Sequence, residues 1–458
     1  MIEKIIDWSA NNRFIVILIY LIVIGFGIYS VVNLPVDAIP DLSENQVIVF
    51  TEWMGRSPQI IEDQVTYPIV SGLQGLPHVK AVRATSMFGM SFVFVVFEDD
   101  VDTYFARTRV LERMNTVQAQ LPSGVVPSLG PDGSGVGHVY WYTVEGKGYD
   151  LGTLRAVQDW YIRYKLSSVD GVAEVASIGG FVKQYQVDVN PNDLRAHNLL
   201  VSDVVNAVQR SNNEVGGKIL EISDAEYFVR GQGYIQSKDD IENTVIKTSA
   251  NGIPILIKNV ATVALGGDIR RGALEKNGEG EVVGGIIVMR TGENAQNVIE
   301  RVKEKIKEIS PGLPPGVEII SSYDRSTLIA EAIGTLDRAL IEAAITVSIM
   351  VAIFLLHWRS IVRILIEIPI AVLISFIFMY MFDITSNIMS LGGIILAIGV
   401  IVDSSIVLVE NAYRNIAKAI EEKGHLSNEE YKKISIDSAK QVGRAIFFSE
   451  LIILVSFI

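Results

Sequence analysis

Four carboxylates lie within strongly apolar stretches of the chain: Glu342, Glu367, Asp403 and Glu450. An ionisable group in hydrocarbon is costly, so each is a functional candidate by position alone. Glu342 falls in the first turn of its apolar segment and Glu367 lies four residues past Arg363, so both can reach an interface. Glu450 lies a few residues into the last apolar segment. Asp403 differs. Eleven uncharged residues, Gly392 to Val402, precede it and six follow to Val409. With a helical rise of about 1.5 Å per residue, it sits well below either surface of a spanning helix. A carboxylate so far from water favours its neutral form unless a cation pairs with it. That suits a proton carrier. The competing role is a hydrogen-bonded aspartate that ties two helices together. Ser390, Gly392-Gly393, Ser404 and Ser405 would permit close helix packing and local polar partners. Glu410-Asn411, seven residues on and on the same face, reads as an interfacial anchor at the helix end.

Other reactive groups are sparse. The five histidines (His78, His138, His197, His357, His425) show no ligand spacing and suit surface or packing positions. Met87-Phe-Gly-Met90 could hold a soft metal at a turn, although strand packing is the commoner use of such residues. There is no cysteine, which removes disulfides, thiolate nucleophiles, Fe–S clusters and Cys-ligated zinc together and suits an oxidising compartment. The glycine-rich stretches lack the phosphate-binding loop pattern, so ATP has no support as an energy source.

The elements that must position these groups follow from where the apolar residues fall. Phe14 to Val32 is a run of 19 residues without a charge, long enough to cross about 30 Å of hydrocarbon. A cleaved signal would have a shorter apolar core, a more basic leader and a small-residue cleavage site. A retained membrane helix over 14–33 fits better. Further spans are expected at 339–356, 364–382 and 388–410, with a truncated fifth at 445–458. The connecting segment 357–363 carries Arg359 and Arg363, and 411–444 carries seven Lys and Arg, whereas 383–387 carries none. By the positive-inside rule the basic segments and the N-terminal stretch 1–13 are cytoplasmic. Residues 34–338 then lie outside and hold about −11 of the chain's net charge of −13, a balance that reads as solubility.

Within the external part, strand and helix patterns run β-α-β-β-α-β over 34–135, the split βαβ module. Ser57-Pro58 is expected to open its first helix, with serine as N-cap and proline in the first turn, and Asp102 to cap its second. A second module starts over 136–180 and is completed over 271–335. Between its halves, residues 181–270 read as a separate, inserted α+β subdomain. The fold class expected is an α-helical multi-span membrane domain plus a large periplasmic α+β region, built from two ferredoxin-like modules and that insert. Apolar residues make up 49% of the 458, which excludes intrinsic disorder, and the acidic balance leaves no basic footprint for nucleic acid.

Asn387-Ile-Met-Ser-Leu-Gly-Gly, followed by Gly399-Val-Ile-Val-Asp403-Ser-Ser-Ile-Val-Leu-Val-Glu410-Asn411, resembles the fourth transmembrane helix of the resistance–nodulation–division (RND) pumps. Leu34-Pro-Val-Asp-Ala-Ile-Pro-Asp-Leu-Ser, Gly130-Pro-Asp132, Asp188-Val-Asn-Pro191 and Tyr323-Asp-Arg-Ser326 resemble the heavy-metal efflux branch, over essentially the whole chain. The resemblance implies a secondary active transporter, not an enzyme: a proton-driven homotrimer, multi-pass in the bacterial inner membrane with a large periplasmic domain. Its implied partners are the lipid bilayer, a periplasmic membrane-fusion adaptor and an outer-membrane channel protein, with a docking role implied for the insert over 181–270. No tightly bound cofactor is implied, only protons and the transported metal ion, Cu(I) or Ag(I) being favoured. Asp403 matches the family's proton-relay aspartate. Met389 matches a methionine of the copper/silver branch that hands metal into a relay, and its thioether suits a soft monovalent ion. Zinc, cadmium and cobalt relatives carry a second aspartate six residues before the relay aspartate, where this chain has Ala397. Against the copper/silver pattern, Ser404-Ser405 replaces two alanines, and Glu367 and Glu450 are additional. The alternatives are a divalent-metal (Zn, Co, Cd, Ni) pump of the same family, or a non-transporting half-pump that docks an adaptor. Such pumps have two sequence-related halves of six spans each, so the chain is expected to be a truncated product that does not transport by itself. The sixth span, the partners of Asp403 and the family's periplasmic methionine cluster would lie in the other part.

Overall fold

Two sheets with the same strand order, each backed by two helices, organise the middle of the chain in a computed structural model. Residues 2–222, 225–231, 233–249, 251–270, 272–355 and 358–456 are described, and of their side chains all but those at 336–337, 340, 343–344, 347–348, 350–352, 354–355, 358–365 and 402. His357, the terminal Phe457-Ile458 and the side chains of Arg359 and Arg363 therefore lie outside the described residues.

The chain begins with α1 (Ile2–Asn11) and the apolar α2 (Arg13–Asn33). The first module contains β1 (Gln46–Glu52), α3 (Pro58–Ile61) and α4 (Tyr67–Leu73), joined by a π-helical turn at Glu62–Thr66. It continues with β2 (Val79–Met87), β3 (Met90–Phe97), α5 (Thr103–Val117) and β4 (Pro127–Leu129). Strands lie in the order β2-β3-β1-β4 with every neighbouring pair antiparallel. Alternation puts Val47, Val49, Val93, Val95 and Phe97 on one face. Against them pack Ile61, Val65, Ile69 and Leu73, four residues apart along the first helix, with Val110 and Met114 of α5. Asp102 caps α5, its carboxylate accepting from the Phe105 N–H at 2.7 Å. Ser57 does not act as the side-chain cap expected of it. Proline at the first position sets the backbone there and needs no donor partner. The π turn carries Thr66, whose buried hydroxyl lies 2.8 Å from those of Ser86 and Ser91.

The second module repeats the plan. It has β5 (Gly133–Gly146), then α6 (Leu151–Val157) and α7 (Arg163–Leu166) around a π turn at Gln158–Ile162, and β6 (Val172–Gly179). Here too the π turn holds a buried polar side chain, Gln158, which accepts from the Tyr142 hydroxyl at 3.0 Å. Burial pushes the Tyr142 phenol well above its ordinary pKa.

The insert follows: β7 (Lys183–Val189), α8 (Pro191–Ala196), α9 (Val201–Ser211), β8 (Val215–Ile222), β9 (Ala225–Gly231), α10 (Lys238–Glu242), β10 (Val245–Thr248), β11 (Pro254–Leu256) and β12 (Ala261–Gly267). Its first and last strands pair antiparallel, so the chain leaves and returns at one place. Leu194, Leu199, Val204, Ile241, Ile257 and Val260 give it a core of its own.

The second module is completed by β13 (Leu274–Glu275), β14 (Glu281–Arg290), α11 (Ala295–Ile309) and β15 (Val317–Asp324), in the order β6-β14-β5-β15.

Four long helices end the chain: α12 (Arg325–Leu355), α13 (Trp358–Met381), α14 (Ile388–Lys423) and α15 (Asn428–Ser456). Among the described residues, Arg13–Asn33 and Ile388–Lys423 are long and apolar enough to cross a membrane, and 366–381 is a shorter apolar helix. The connecting stretch 411–444 is a helical hairpin. Nothing between 388 and 423 breaks the helix, and the turn comes at Gly424, whose φ of +74° suits glycine. Ser427 and Glu430 then form a reciprocal cap, and Lys423 joins them. The Lys423 ammonium and the Ser427 N–H and hydroxyl hold the Glu430 carboxyl down at about 2. The N-terminal α1 lies along α15, with Lys440 paired to Asp7 at 2.6 Å and Lys432 donating to Asn11 at 2.8 Å.

Candidate functional site

The helix that carries Asp403 is anchored at its start. The Asn387 side chain accepts from the N–H groups of Met389 and Ser390, both at 3.0 Å, and Ser390 Oγ accepts from the Asn387 N–H at 2.9 Å. These bonds satisfy donors that the first turn would otherwise leave open. The segment before the cap is sewn to the chain leaving α2. Val36 and Ser386 form a parallel bridge. Asp37 N–H donates to Ser386 O at 2.9 Å, and Ser386 N–H donates to Pro35 O at 2.9 Å.

Asp37 then reaches the second module. Its carboxylate takes Nη1 of Arg325 at 3.2 Å, and Nη2 of the same guanidinium donates to His138 O at 3.2 Å. Arg325, the first residue of α12, is only 5% exposed. Beside it Asp324 pairs with Lys303 and accepts from the Ser326 N–H at 2.9 Å. Burial opposes ionisation of Asp324, but Lys303 and Ser326 outweigh it and hold the carboxyl below its usual range. A cavity of about 270 Å³ opens at this junction, lined by Asp37, Asp41, Met289, Glu293 and Asp383 among others. A second ion pair joins the modules: Asp132 lies 3.4 Å from Arg290 Nε, and Tyr104 of α5 donates to it at 3.1 Å.

Along α14, one face packs through Leu391, Ile394 and Ile398 and the opposite face is open. Met389, Leu396, Asp403 and Glu410 recur every seven residues on that open face, and all four are exposed. Met389 is 72% exposed and about 21 Å along the axis from Asp403. Asp403 has no hydrogen-bond or ion-pair partner among the described residues and stands on the exposed side of the helix. Among the described residues, a Cβ at Gly392, Gly393 or Gly399 would meet nothing within 4 Å. The close approach comes elsewhere, at Gly27 of α2, where a Cβ would lie 2.7 Å from Leu373 Cβ of α13.

The residue after Asp403 does tie two helices. Ser404 Oγ bonds Glu450 on α15. Further along, Asn411 donates to Ser438 O at 2.9 Å, and Asn415 to Gln441 Oε1 at 3.0 Å. These contacts form one antiparallel register, which pins the aspartate's turn. Glu367 lines a cleft of about 500 Å³ with Ile17, Tyr20 and Leu21 of α2, and Glu342 is exposed. No group of three or more His, Cys, Asp or Glu side chains that could hold a metal occurs among the described residues. Sequence reasoning missed the Arg325–Asp37 pair, although both residues lie in motifs it singled out. It also missed the Asn387 cap, which an asparagine immediately before an apolar helical run does signal.

Comparison with known proteins bears on the whole chain. The Escherichia coli (strain K12) cation efflux system protein CusA is 46% identical over 467 aligned residues, covering all of this chain and 44% of the relative. The cobalt-zinc-cadmium resistance protein CzcA of Cupriavidus metallidurans is 38% identical, over all of this chain and 44% of the relative. A crystal structure of a heavy metal efflux pump superposes with a TM-score of 0.84 at 32% identity, over 99% of this chain and 44% of that one. The chain thus spans less than half the length of these relatives. The sequence profile of the AcrB/AcrD/AcrF family matches residues 5–458, and the chain belongs to that family.

Proposed function

We propose that this chain works within a proton-driven pump that exports heavy-metal cations across the bacterial inner membrane, with Cu(I) or Ag(I) as cargo. The observation that carries this reading is the open face of α14. It places Met389 at one end and Asp403 in mid-helix on a single line, in a chain related along its whole length to cation efflux proteins. In this reading Asp403 takes up and releases the proton, since a carboxylate in mid-membrane exchanges charge with its surroundings by protonation. Met389 offers a soft thioether to the metal at the outer end of the helix. The five expected spans cross the bilayer, and residues 34–338 stand in the periplasm. The protein assembles as a homotrimer with a periplasmic adaptor and an outer-membrane channel, and the insert between β6 and β13 is the docking subdomain.

Identity to the relative named for cobalt, zinc and cadmium is the lower of the two, 38% against 46% with CusA, which weakens the divalent reading. Ala397, on the exposed side of α14, also places no second carboxylate near Asp403. The oxygen donors of Ser404 and Glu450 favour the divalent reading, because hard and borderline cations prefer oxygen.

The test is Asp403→Asn in the intact pump, expressed in a host stripped of its own metal exporters. Resistance to silver and copper is expected to disappear while the protein still inserts and assembles. Unchanged resistance rules out the proton role. Resistance to zinc or cobalt in the parent, without resistance to silver, moves the cargo to the divalent class.

A further inference from the structure

Three of the chain's ten methionines converge at one corner of the first module. Met87 and Met90 flank the two-residue loop Phe88-Gly89 and are register partners across the β2–β3 hairpin. Directly opposed residues share a sheet face with Cβ atoms about 5 Å apart. Both therefore stand on the face away from the helices, next to Glu52, which is the partner of Met90 on β1. The third thioether comes from the loop after β1. That loop is laid over the hairpin by two backbone bonds, Trp53 N–H to Gly89 O at 2.8 Å and Gly89 N–H to Arg56 O at 3.0 Å. Met54 Sδ lies 3.1 Å from the point where a Cβ on Gly89 would stand. The turn needs glycine for its φ of +71°, and the missing side chain leaves the space that the Met54 sulfur borders.

Packing alone accounts poorly for this corner. A methionine that fills a core gap is buried, as Met114 is at 4% exposure, whereas Met87 is 50% exposed and Met54 44%. Three flexible thioethers, each with three rotatable bonds, can turn their sulfurs toward one ion. Uncharged sulfur donors favour a soft monovalent cation over Zn(II) or Co(II).

We propose that Met54, Met87 and Met90 form a three-thioether site for Cu(I) or Ag(I) at the tip of the β2–β3 hairpin, separate from α14. The site goes beyond the transport reading and requires neither Asp403 nor Met389.

The experiment is an Ag(I) titration of the full chain in detergent micelles, labelled with 13C at the methionine methyl groups. Three resonances should move together and saturate at one ion per site. Met54→Leu, Met87→Leu and Met90→Leu should each delete one of them and shift the midpoint of the other two at least tenfold. Leucine preserves volume, and the resonances of the remaining methionines report that the fold is intact. Zn(II) should leave all three in place. The proposal is overturned if the three signals stay still at a hundredfold excess of Ag(I), or if each moves with a midpoint that the other substitutions do not change. The same titration on Asp403→Asn separates the two readings. Retained shifts with lost resistance support both, while retained shifts in a pump that confers no silver or copper resistance support the site and refute the cargo.

Discussion

Replacing Asp37 by asparagine should loosen the joint between α14 and the second module. In the parent, the Arg325 guanidinium is 5% exposed, holds the Asp37 carboxylate at 3.2 and 3.4 Å, and has the His138 carbonyl as its other acceptor. Asparagine keeps the shape but leaves a buried cation facing neutral acceptors. Removing one member of a buried pair costs about 3–5 kcal/mol, and the partial exposure of Asp37 favours the lower end, about 3 kcal/mol. At about 1.4 kcal/mol per factor of ten, the joint should open roughly 100 times more often. Hydrogen exchange read by mass spectrometry reports that opening directly. The amides to follow are those that sew the chain after α2 to the start of α14, Asp37 N–H to Ser386 O and Ser386 N–H to Pro35 O. Their protection should fall by that factor, whereas amides in β14 should not change. Adding Arg325→Met removes the stranded charge, so the double variant should regain at least tenfold of the lost protection. Exchange within threefold of the parent in Asp37→Asn, or strictly additive losses in the double variant, would refute a buried pair that holds the joint.

Two further outcomes follow from the same region. Asn387→Ala deletes the acceptor for two N–H groups at the head of α14. It should cost about 1 kcal/mol, seen as faster exchange confined to the first turn, with Asn387→Asp restoring the parent rate. Asp324 is held below its ordinary pKa in the folded protein, so its contribution is full above the unfolded value near 4 and is lost as pH falls below it. The thermal midpoint should drop between pH 5 and pH 3, and Lys303→Met should flatten that part of the profile. An unchanged profile in Lys303→Met would remove the ion pair from the account.

The elements that local chemistry dictates were readable from the residues alone. Val93, Val95 and Phe97 alternate, Ile61, Val65, Ile69 and Leu73 repeat every fourth position, and Asp102 precedes its helix as a cap. Each is a short-range pattern with one periodicity. The helical hairpin over 411–444 is less legible in the sequence, because the contacts that support it are long-range. Asn411, Asn415, Ser438 and Gln441 are ordinary surface residues until two antiparallel helices bring them together. The π turns were likewise invisible, since one extra residue per turn leaves no compositional trace at Glu62–Thr66 or Gln158–Ile162.

For the candidate site the division is similar. Hydropathy and spacing single out Asp403, because an isolated carboxylate among uncharged residues is a sequence-level fact. The seven-residue spacing that aligns it with Met389 is also written in the chain. Only the tertiary structure decides which helix face is covered, that Ser404 ties α14 to α15, and that Asp37 and Arg325 meet although 288 positions apart. It also decides that the Met54 sulfur borders Gly89, in the turn between Met87 and Met90. The physical reason is range: periodicity and desolvation act along a segment and can be read from it, whereas ion pairs, caps between segments and shared ligand sets depend on which distant residues the fold brings within a few ångströms.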